Sequence, residues 1–360
     1  MSQLPLVLVT GASGFIATHV VAGLLAEKKY RVRGTVRDVN NESSTKPLRE
    51  AFPDLELFSA DLNKDEGWKE AVAGCTYVHH VASPCTLDLP RDPQELIRPA
   101  VDGSKRVLQA CVEAGTVKRV VLTSSFAAIS SGLAGNEGKP RDYVYTPDDW
   151  TDPESPRCRP YEASKTYAEK AIREFVEKLE GDKKFELITI HPAVVFGPLI
   201  LPKVSASHGF ILMLLKRQAS SVPDIGIPFV DVRDVAKAHV AAMTGGTPGQ
   251  RYILYTDTKP LRDIAHILAD KFNPQGYRVP VSKMWKITLW IIVKLFDKKA
   301  ELLYAFLRSH LKFDNSQVKE LGVELIGLKK SLMETAYSLI EHEIVPKMAG
   351  FKGEDQDKDE

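Results

Sequence analysis

Cysteine is scarce in this chain of 360 residues. The four cysteines, Cys75, Cys85, Cys111 and Cys158, include no CxxC pair. So sparse a set supports neither a disulfide framework nor a thiolate metal site, and free cysteine is typically a small buried hydrophobic residue in a reducing compartment. The nine histidines form no HExxH or comparable ligand spacing. We therefore expect no metal site.

An excess of charge of one sign is also absent. The chain has 48 Lys and Arg residues against 47 Asp and Glu residues, which gives a formal net charge of +1. A nucleic-acid-binding surface needs a basic patch or stripe. We therefore expect no nucleic-acid partner.

Apolar runs long enough to span a membrane are missing as well. The apolar stretch "MWKITLWIIVKLF", residues 284–296, falls short of the roughly 20 residues of a spanning helix and includes Lys286 and Lys294. We predict a buried helix or pocket wall here, and weak peripheral membrane contact through Trp285 and Trp290 is the alternative. The N-terminal "MSQLPLVLVT" lacks the charged and apolar regions of a secretory signal, so we expect a cytoplasmic protein.

What is present is a regular alternation of apolar, β-branched runs with stretches of helical periodicity. Within the β-branched runs the apolar residues are continuous rather than alternating, which indicates strands buried on both faces of a parallel sheet with helical crossovers. The sequence therefore predicts an α/β fold with a doubly wound parallel sheet, followed by a smaller, mainly helical C-terminal lobe. Strands are predicted at residues 5–10, 30–36, 55–60, 77–82, 119–124 and 185–191.

The segment "TGASGFIATH", residues 10–19, joins the first predicted strand to the first predicted helix. Gly11 and Gly14 are three residues apart, and Ala17 occupies the third position of the motif. Glycine permits a positive φ and close approach of a phosphate to the backbone, while a helix N-terminus offers unpaired N–H groups and a positive dipole end. In the first strand–helix unit of such an alternation, the motif predicts a dinucleotide pyrophosphate site rather than a plain turn.

A second motif, "RPYEASKTYAEKAIREF", places Tyr161 and Lys165 four residues apart at the start of a helix that Pro160 is suited to begin. Residues four apart share a helix face, so phenol and ammonium can point into one cleft. The ammonium favours the ionised phenol, which makes the tyrosine a proton donor and acceptor usable near neutral pH. Tyr255 and Lys259 have the same spacing, but "YTDTKP" is typical of a turn, so their side chains need not share a face.

These motifs occur with "GTVRD", "HHVASP", "VVLTSSFAAI", "HPAVVFGP" and "FVDVRDVAKAHVAAM" in the order found in extended short-chain dehydrogenases/reductases. The chain resembles the branch that holds the dihydroflavonol 4-reductases, cinnamoyl-CoA reductases and methylglyoxal or carbonyl reductases. The resemblance covers residues 4–255 strongly and the rest in outline. Together with the alternation of elements, it predicts a Rossmann domain, a substrate-binding lobe and a disordered polar tail. The predicted ranges are 1–195 plus about 228–256, about 196–227 plus 257–350, and 351–360.

The resemblance implies roles for the residues that match its motifs. Tyr161 is implied as the proton donor, Lys165 as the residue that tunes it and holds the nicotinamide ribose, and Ser125 as the ligand of the substrate carbonyl. For Ser125 the alternative is a plain strand-end cap, and for Asp234 we expect a helix N-cap. The residues expected to contact the cofactor are Gly11, Ser13, Gly14, Phe15, Ile16, Arg37, Asp61, Leu62, Val81, Ala82, Ser83, Tyr161, Lys165, Pro192, Ala193, Val194, Val195 and Ser207.

The choice of cofactor depends on the stretch "RVRGTVRDVN". An acidic residue after the second strand holds the adenosine 2′-hydroxyl, whereas an arginine there accommodates the 2′-phosphate. The strand is predicted to end at Val36, directly before Arg37, and guanidinium–phosphate pairing is charge-assisted and bidentate. We therefore predict NADPH/NADP as the cofactor. Asp38 is the competing residue that would favour NADH, and Lys46 is a candidate second cation near the phosphate.

The sequence thus predicts an NADPH-dependent oxidoreductase that reduces an aldehyde or ketone with an apolar body to an alcohol. Ser130 stands where plant dihydroflavonol reductases have Asn, and the "NWYCY" tract of cinnamoyl-CoA reductases is absent, so neither plant substrate is supported. The alternatives are an NAD(P)-dependent epimerase/dehydratase or hydroxysteroid dehydrogenase/isomerase of the same superfamily, or a non-catalytic nucleotide-sensing protein. We expect a monomer or homodimer that binds a small carbonyl compound.

Overall fold

The computed structural model describes residues 4–83, 92–140, 142–285 and 310–354. Within these ranges, seven strands form a parallel sheet. In chain order they are β1 (Leu6–Val9), β2 (Arg31–Val36), β3 (Glu56–Ser59), β4 (Tyr77–His80), β5 (Arg119–Thr123), β7 (Glu186–Pro192) and β10 (Arg251–Leu254). Their order in the sheet is β10-β7-β5-β4-β1-β2-β3. From β1 the chain runs outward to β3, crosses back to β4 beside β1, and continues to the other edge. This is the doubly wound topology that the sequence predicted, and the fold class is confirmed.

All six strands predicted from the sequence are present, with ends that differ from the prediction by no more than two residues. The four residues of β1 are all buried, because helices cover both faces of the sheet. The sequence did not indicate β10, an edge strand that begins with Arg251 and Tyr252.

Helices pack on both faces of this sheet. On one face lie α1 (Phe15–Ala26), α2 (Glu42–Ala51) and α8 (Val232–Thr244). On the other lie α3 (Trp68–Val72), α4 (Gln94–Ala114) and α6 (Pro160–Glu177). The ring of Pro160 fixes φ for the first turn of α6, where its missing N–H group is not needed.

A second, smaller sheet and further helices continue beyond β7. The strands β8 (Val194–Phe196), β9 (Gly226–Asp231) and β11 (Asp257–Pro260) form this sheet, with β9 parallel to β8 and antiparallel to β11. The turn predicted for "YTDTKP" is wrong, because antiparallel pairing with β9 extends residues 257–260 into a strand. The remaining elements are α5 (Ala127–Ser130), β6 (Val144–Tyr145), α7 (Gly209–Leu215), α9 (Leu261–Phe272), β12 (Lys312–Phe313) and α10 (Leu328–Glu341).

Besides the apolar layers on the two faces of the seven-stranded sheet, a further hydrophobic core lies beneath the three-stranded sheet. Apolar side chains of α7, α9 and α10 pack there against β8 and β9. These helices form the helical part that was expected after residue 195, while β8, β9 and β11 were not foreseen. The domain boundaries given above stay a prediction.

Two predicted features fall mainly outside the described residues. Of the apolar stretch 284–296, the structure describes only Met284, which is buried, and Trp285, which is 73% exposed. Of the tail predicted to be disordered, only residues 351–354 are described. Among the helices that the structure does describe, none has the length and apolar character needed to cross a bilayer.

Candidate active site

The carboxyl ends of the parallel strands bring most of the predicted site residues to one edge of the sheet. In open α/β sheets of this kind, ligands bind at that edge. Tyr161 and Lys165 are added by α6, and Ser207 by a short 3-10 helix at Ala206–His208. The strand-end residues are Gly11 after β1, Arg37 after β2, Asp61 after β3, Val81 after β4, Ser125 after β5 and Pro192 at the end of β7.

The glycine loop has the backbone shape that a dinucleotide phosphate requires. Gly11 has a φ of +66°, and a Cβ at this position would lie 3.1 Å from Cβ of Ala82. Gly14 is the N-cap of α1, and no side chain caps this helix. The first N–H groups of α1 therefore remain for an anion, and the positive end of the helix dipole favours one. The loop fits a pyrophosphate group.

The segment after β4 is fixed against the glycine loop by a chain of hydrogen bonds. Thr10 Oγ1 accepts from the N–H groups of Val81 and Ala82 at 3.0 and 2.9 Å, and lies 3.0 Å from Nδ1 of His80. Because both lone pairs of Thr10 Oγ1 are used, its proton is donated to His80 Nδ1. The imidazole then carries its proton on Nε2, 3.2 Å from Ser104 Oγ. Burial lowers the pKa of His80 to about 3, in agreement with a neutral ring.

Tyr161 and Lys165 lie on the same face of α6, as their spacing predicted. Tyr161 is half-buried in the first turn, and Lys165 is buried. The ammonium Nζ of Lys165 is 5.9 Å from the centroid of the Tyr161 ring. Besides burial, the positive charge of Lys165 lowers the pKa of His80, so the ammonium also lies near the end of β4. The pair therefore meets the strand ends.

Tyr255 and Lys259, the competing pair, make separate contacts. The Tyr255 ring is buried and packs against Phe313, with ring centroids 5.2 Å apart. Its hydroxyl oxygen accepts from Thr258 Oγ1 at 3.2 Å, and burial raises the pKa of the phenol. Lys259 instead pairs with Asp257 at 2.7 Å. The raised pKa of the phenol and the pairing of Lys259 with Asp257 make Tyr255 a poor proton donor.

Ser125 is placed at the end of β5 and has a capping contact. Its Oγ accepts from the N–H of Ala127 at 3.1 Å, which is the capping contact considered as the alternative role. Accepting this bond does not use the hydroxyl proton, so the side chain can still donate to a carbonyl oxygen. The carbonyl oxygen of Ser125 lies 3.1 Å from Nδ1 of His191, which ties the strand end to β7.

A buried carboxylate beneath the site was missed by the sequence analysis. Glu169, on α6, accepts from Ser124 Oγ at 2.6 Å, Arg173 Nε at 3.0 Å and Arg251 Nε at 2.8 Å. Burial alone would raise the pKa of Glu169, but His191, Arg251 and Arg173 outweigh it and hold the pKa well below its usual range. Its position four residues after Lys165, on the same helix face, was the signal available in the sequence.

β2 ends at Val36, as predicted, and Arg37 follows it directly and is exposed. Asp38, the competing residue, accepts at Oδ1 from the N–H of Asn40 at 2.9 Å. Its carboxylate is therefore used in its own turn. Lys46 lies on α2 and is exposed.

The residues predicted to flank the adenine come after β3. Asp61 Oδ1 accepts from the N–H of Asn63 at 2.9 Å, which shapes the loop. Leu62 packs tightly against α4, where Gly103 makes room, since a Cβ there would lie 2.7 Å from Leu62 Cβ.

Residues 192–195, which are predicted to border the nicotinamide, and Ser207 lie in the second half of the chain. Pro192, Ala193, Val194 and Val195 are buried where β7 passes into β8, and the N–H of Ala193 donates to the carbonyl of Leu254 at 2.9 Å. The short 3-10 helix that carries Ser207 packs on the glycine loop. The imidazole of its His208 lies edge-on to the ring of Phe15, with centroids 4.5 Å apart.

The predicted N-cap role of Asp234 is wrong. The N-cap of α8 is Asp231, which accepts from the N–H of Arg233 at 2.9 Å. Asp234 lies in the first turn instead, fully buried, and accepts at Oδ2 from the N–H of Ile326 at 2.7 Å. Burial raises the pKa of Asp234 to about 6.

Comparison with known proteins agrees with this architecture. A model of the NAD dependent epimerase/dehydratase family matches residues 7–254. The chain belongs to this family. The resemblance to extended short-chain dehydrogenases/reductases is therefore confirmed.

Similar members of the family are reductases by name. Cinnamoyl-CoA reductase 1 of Arabidopsis thaliana is 32% identical over 337 residues, covering 93% of this chain and 89% of the relative. Dihydroflavonol 4-reductase of Hordeum vulgare is 35% identical over 277 residues, covering 74% of this chain and 75% of the relative. The structure is similar to that of yeast methylglyoxal/isovaleraldehyde reductase Gre2 complexed with NADPH, with a TM-score of 0.77 and 30% identity over 95% of this chain and 100% of that chain.

Proposed function

We propose that this family member is an NADPH-dependent reductase that converts an aldehyde or ketone to an alcohol. The observation that carries the proposal is the convergence of the glycine loop, Ser125 and the Tyr161–Lys165 pair at one edge of the sheet. The reductase names of its relatives, and the NADPH bound by the yeast structure, support the same class of reaction and the same cofactor.

The cofactor lies along the strand ends in this proposal. The glycine loop and the start of α1 hold the pyrophosphate, Arg37 holds the 2′-phosphate, and Asp61 and Leu62 flank the adenine. The segments 81–83 and 192–195, together with Ser207, border the nicotinamide. When bound, the reduced nicotinamide supplies a hydride to the carbonyl carbon of the substrate.

The protein supplies the proton. The hydroxyl of Ser125 donates a hydrogen bond to the substrate carbonyl oxygen, which orients and polarises the carbonyl. As the carbon gains the hydride, this oxygen becomes negative, and Tyr161 Oη transfers its proton to it to give the alcohol. The positive charge of Lys165 stabilises the tyrosinate that remains, until a proton from solvent restores the phenol.

The body of the substrate is apolar in this proposal. Phe210, Leu212 and Met213 on α7 are only half-buried and offer apolar surface. Ser130 does not contribute a polar contact, because it is fully buried and its hydroxyl lies 3.2 Å from the carbonyl oxygens of Phe126 and Gly132.

A substrate panel tests the proposal. The purified chain is assayed for oxidation of NADPH with aliphatic and aromatic aldehydes, ketones and a nucleotide-sugar. We expect net oxidation of NADPH with one alcohol formed per cofactor consumed, fastest with hydrophobic carbonyl compounds. Conversion of the nucleotide-sugar without net consumption of the cofactor would contradict the proposal and favour an epimerase. Tight binding of NADPH without turnover of any compound would favour the sensing protein.

A further inference from the structure

Lys203 reaches the glycine loop from a distant part of the chain. It follows β8, and its Nζ lies 3.1 Å from Oγ of Ser13. The backbone of this segment is tightly turned, since the N–H of Lys203 donates to the carbonyl of Leu201 at 2.6 Å. Leu199 and Leu201 are buried and anchor the segment. The ammonium is thus held over the loop from a fixed position.

A small cleft separates this segment from the start of α1. Lys203 stands beside Ser13 at one end of it, and the rest of the lining is the first turn of α1 and an apolar wall. Its lining includes Ser13, Phe15, Leu199, Leu201 and Lys203. A cofactor phosphate that is bound beside Ser13 therefore lies next to the Lys203 ammonium.

Arg37 acts on the same region. The glycine loop is tied to the end of β2, because the N–H of Ala12 donates to the carbonyl of Thr35, two residues before Arg37, at 2.8 Å. Partial burial of the ammonium lowers the pKa of Lys203, and the positive charge of Arg37 lowers it further. In the described part of the chain, no carboxylate forms an ion pair with either of them, and Asp38 is held in its own turn. Two like charges without an acidic partner repel one another, and an anion bound between them removes that cost.

We propose that Lys203 is a second ligand of the 2′-phosphate, opposite Arg37, and that it contributes to the preference for NADPH over NADH. The inference rests on the proposed function for its cofactor. It gives the role of second cation to Lys203, whereas the sequence suggested Lys46. Contact with the pyrophosphate, which both cofactors share, is the competing outcome of the test.

Binding measurements on the full chain separate these outcomes without any need for turnover. Dissociation constants are measured for NADPH, NADH, 2′,5′-ADP and 5′-ADP with wild type, Lys203→Met and Lys203→Arg. We expect Lys203→Met to raise the dissociation constants for NADPH and 2′,5′-ADP about tenfold, as the loss of a charge-assisted hydrogen bond does. The dissociation constants for NADH and 5′-ADP should change less than about twofold. Lys203→Arg should retain most of the preference for NADPH over NADH.

Lys216→Met is the matched control, because Lys216 is also exposed, follows α7, and carries the same charge away from the cleft. It should leave all four constants unchanged. If Lys203→Met weakens the binding of NADPH and NADH equally, or weakens neither, the inference is overturned. If wild type binds NADPH no better than NADH, the proposed cofactor itself is overturned. If wild type prefers NADPH and only Arg37→Ala removes the preference, the cofactor assignment stands and the role of Lys203 fails alone.

Discussion

Glu169 and His191 lie side by side beneath the candidate active site, with Oε1 and Nε2 3.3 Å apart and both side chains fully buried. The carbonyl oxygen of Ser125 can only accept, so His191 donates to it from Nδ1. Burial lowers the pKa of His191 despite the nearby carboxylate. One carboxylate on α6, one turn past Lys165, thus lies against the imidazole that is hydrogen-bonded to the strand end carrying Ser125.

Replacement of Glu169 by Gln should destabilise the fold by about 3 to 5 kcal/mol, because it leaves buried cationic partners without their carboxylate. The buried guanidinium of Arg251, 7% exposed, is the most affected. The free energy of unfolding in urea measures the effect. Glu174→Gln is the control, since Glu174 lies on the same helix but pairs with Lys178 at the surface. Similar unfolding midpoints for the two variants would show that the buried network does not stabilise the fold.

Replacement of Tyr161 by Phe should lower kcat by about 10² to 10⁴, because the proton donor is lost while hydride transfer geometry is kept. The dissociation constant for NADPH should stay close to that of wild type. Tyr255→Phe is the matched control and should keep its kcat, since the Tyr255 hydroxyl is bonded to Thr258. A variant Tyr161→Phe with most of the wild-type turnover, measured with the best carbonyl substrate, would exclude Tyr161 as the donor.

Replacement of Gly11 by Ala should weaken cofactor binding and stability together. An L-residue at positive φ costs about 1 to 2 kcal/mol, and the new Cβ also presses on Ala82. Gly115→Ala separates the two effects, because Gly115 has a φ of +62° but nothing within 4 Å of an added Cβ. We expect Gly115→Ala to lower stability and leave the dissociation constant for NADPH unchanged. Equal cofactor affinity in the two variants would show that the loop accommodates the methyl group.

Asp234 should make the fold less stable as the pH rises. Its pKa is raised from 3.8 to about 6 in the folded state, so the folded protein binds the proton more tightly than the unfolded chain. The resulting stabilisation is present below about pH 4 and is lost as the pH rises from about 4 to 6. Asp234→Asn keeps an acceptor for the N–H of Ile326 and removes the buried charge.

This variant should exceed wild type in free energy of unfolding by about 1 to 3 kcal/mol at pH 8 and match it near pH 4. Asp263→Asn, at an exposed position in the first turn of α9, should follow the pH dependence of wild type. A constant difference between Asp234→Asn and wild type at all pH values would contradict the assigned origin.

The features that the sequence predicted well are those set by residues close together along the chain. The six strands are mainly runs of apolar and β-branched residues, and Tyr161 and Lys165 follow the helical repeat, so neighbours in sequence were enough to place them. The helical repeat places Glu169 on the face of Lys165, but its partners His191 and Arg251 lie on other elements far along the chain, and no local pattern indicates those contacts. The cap of α8 is Asp231 and not the expected Asp234, because both acids stand near the start of the helix and only the structure gives the residue at which it begins.

β10 lies at an edge of the seven-stranded sheet and pairs with β7, although it is the last of the seven strands along the chain. During synthesis, β7 therefore emerges long before the strand that covers it. At about 5 to 20 residues per second, the interval from Pro192 to Arg251 lasts about 3 to 12 seconds. For that time the nascent chain presents an unpaired strand edge, a template on which other chains can pair. Slower translation of the intervening segment would lengthen this exposure and increase the demand of the growing chain for chaperones.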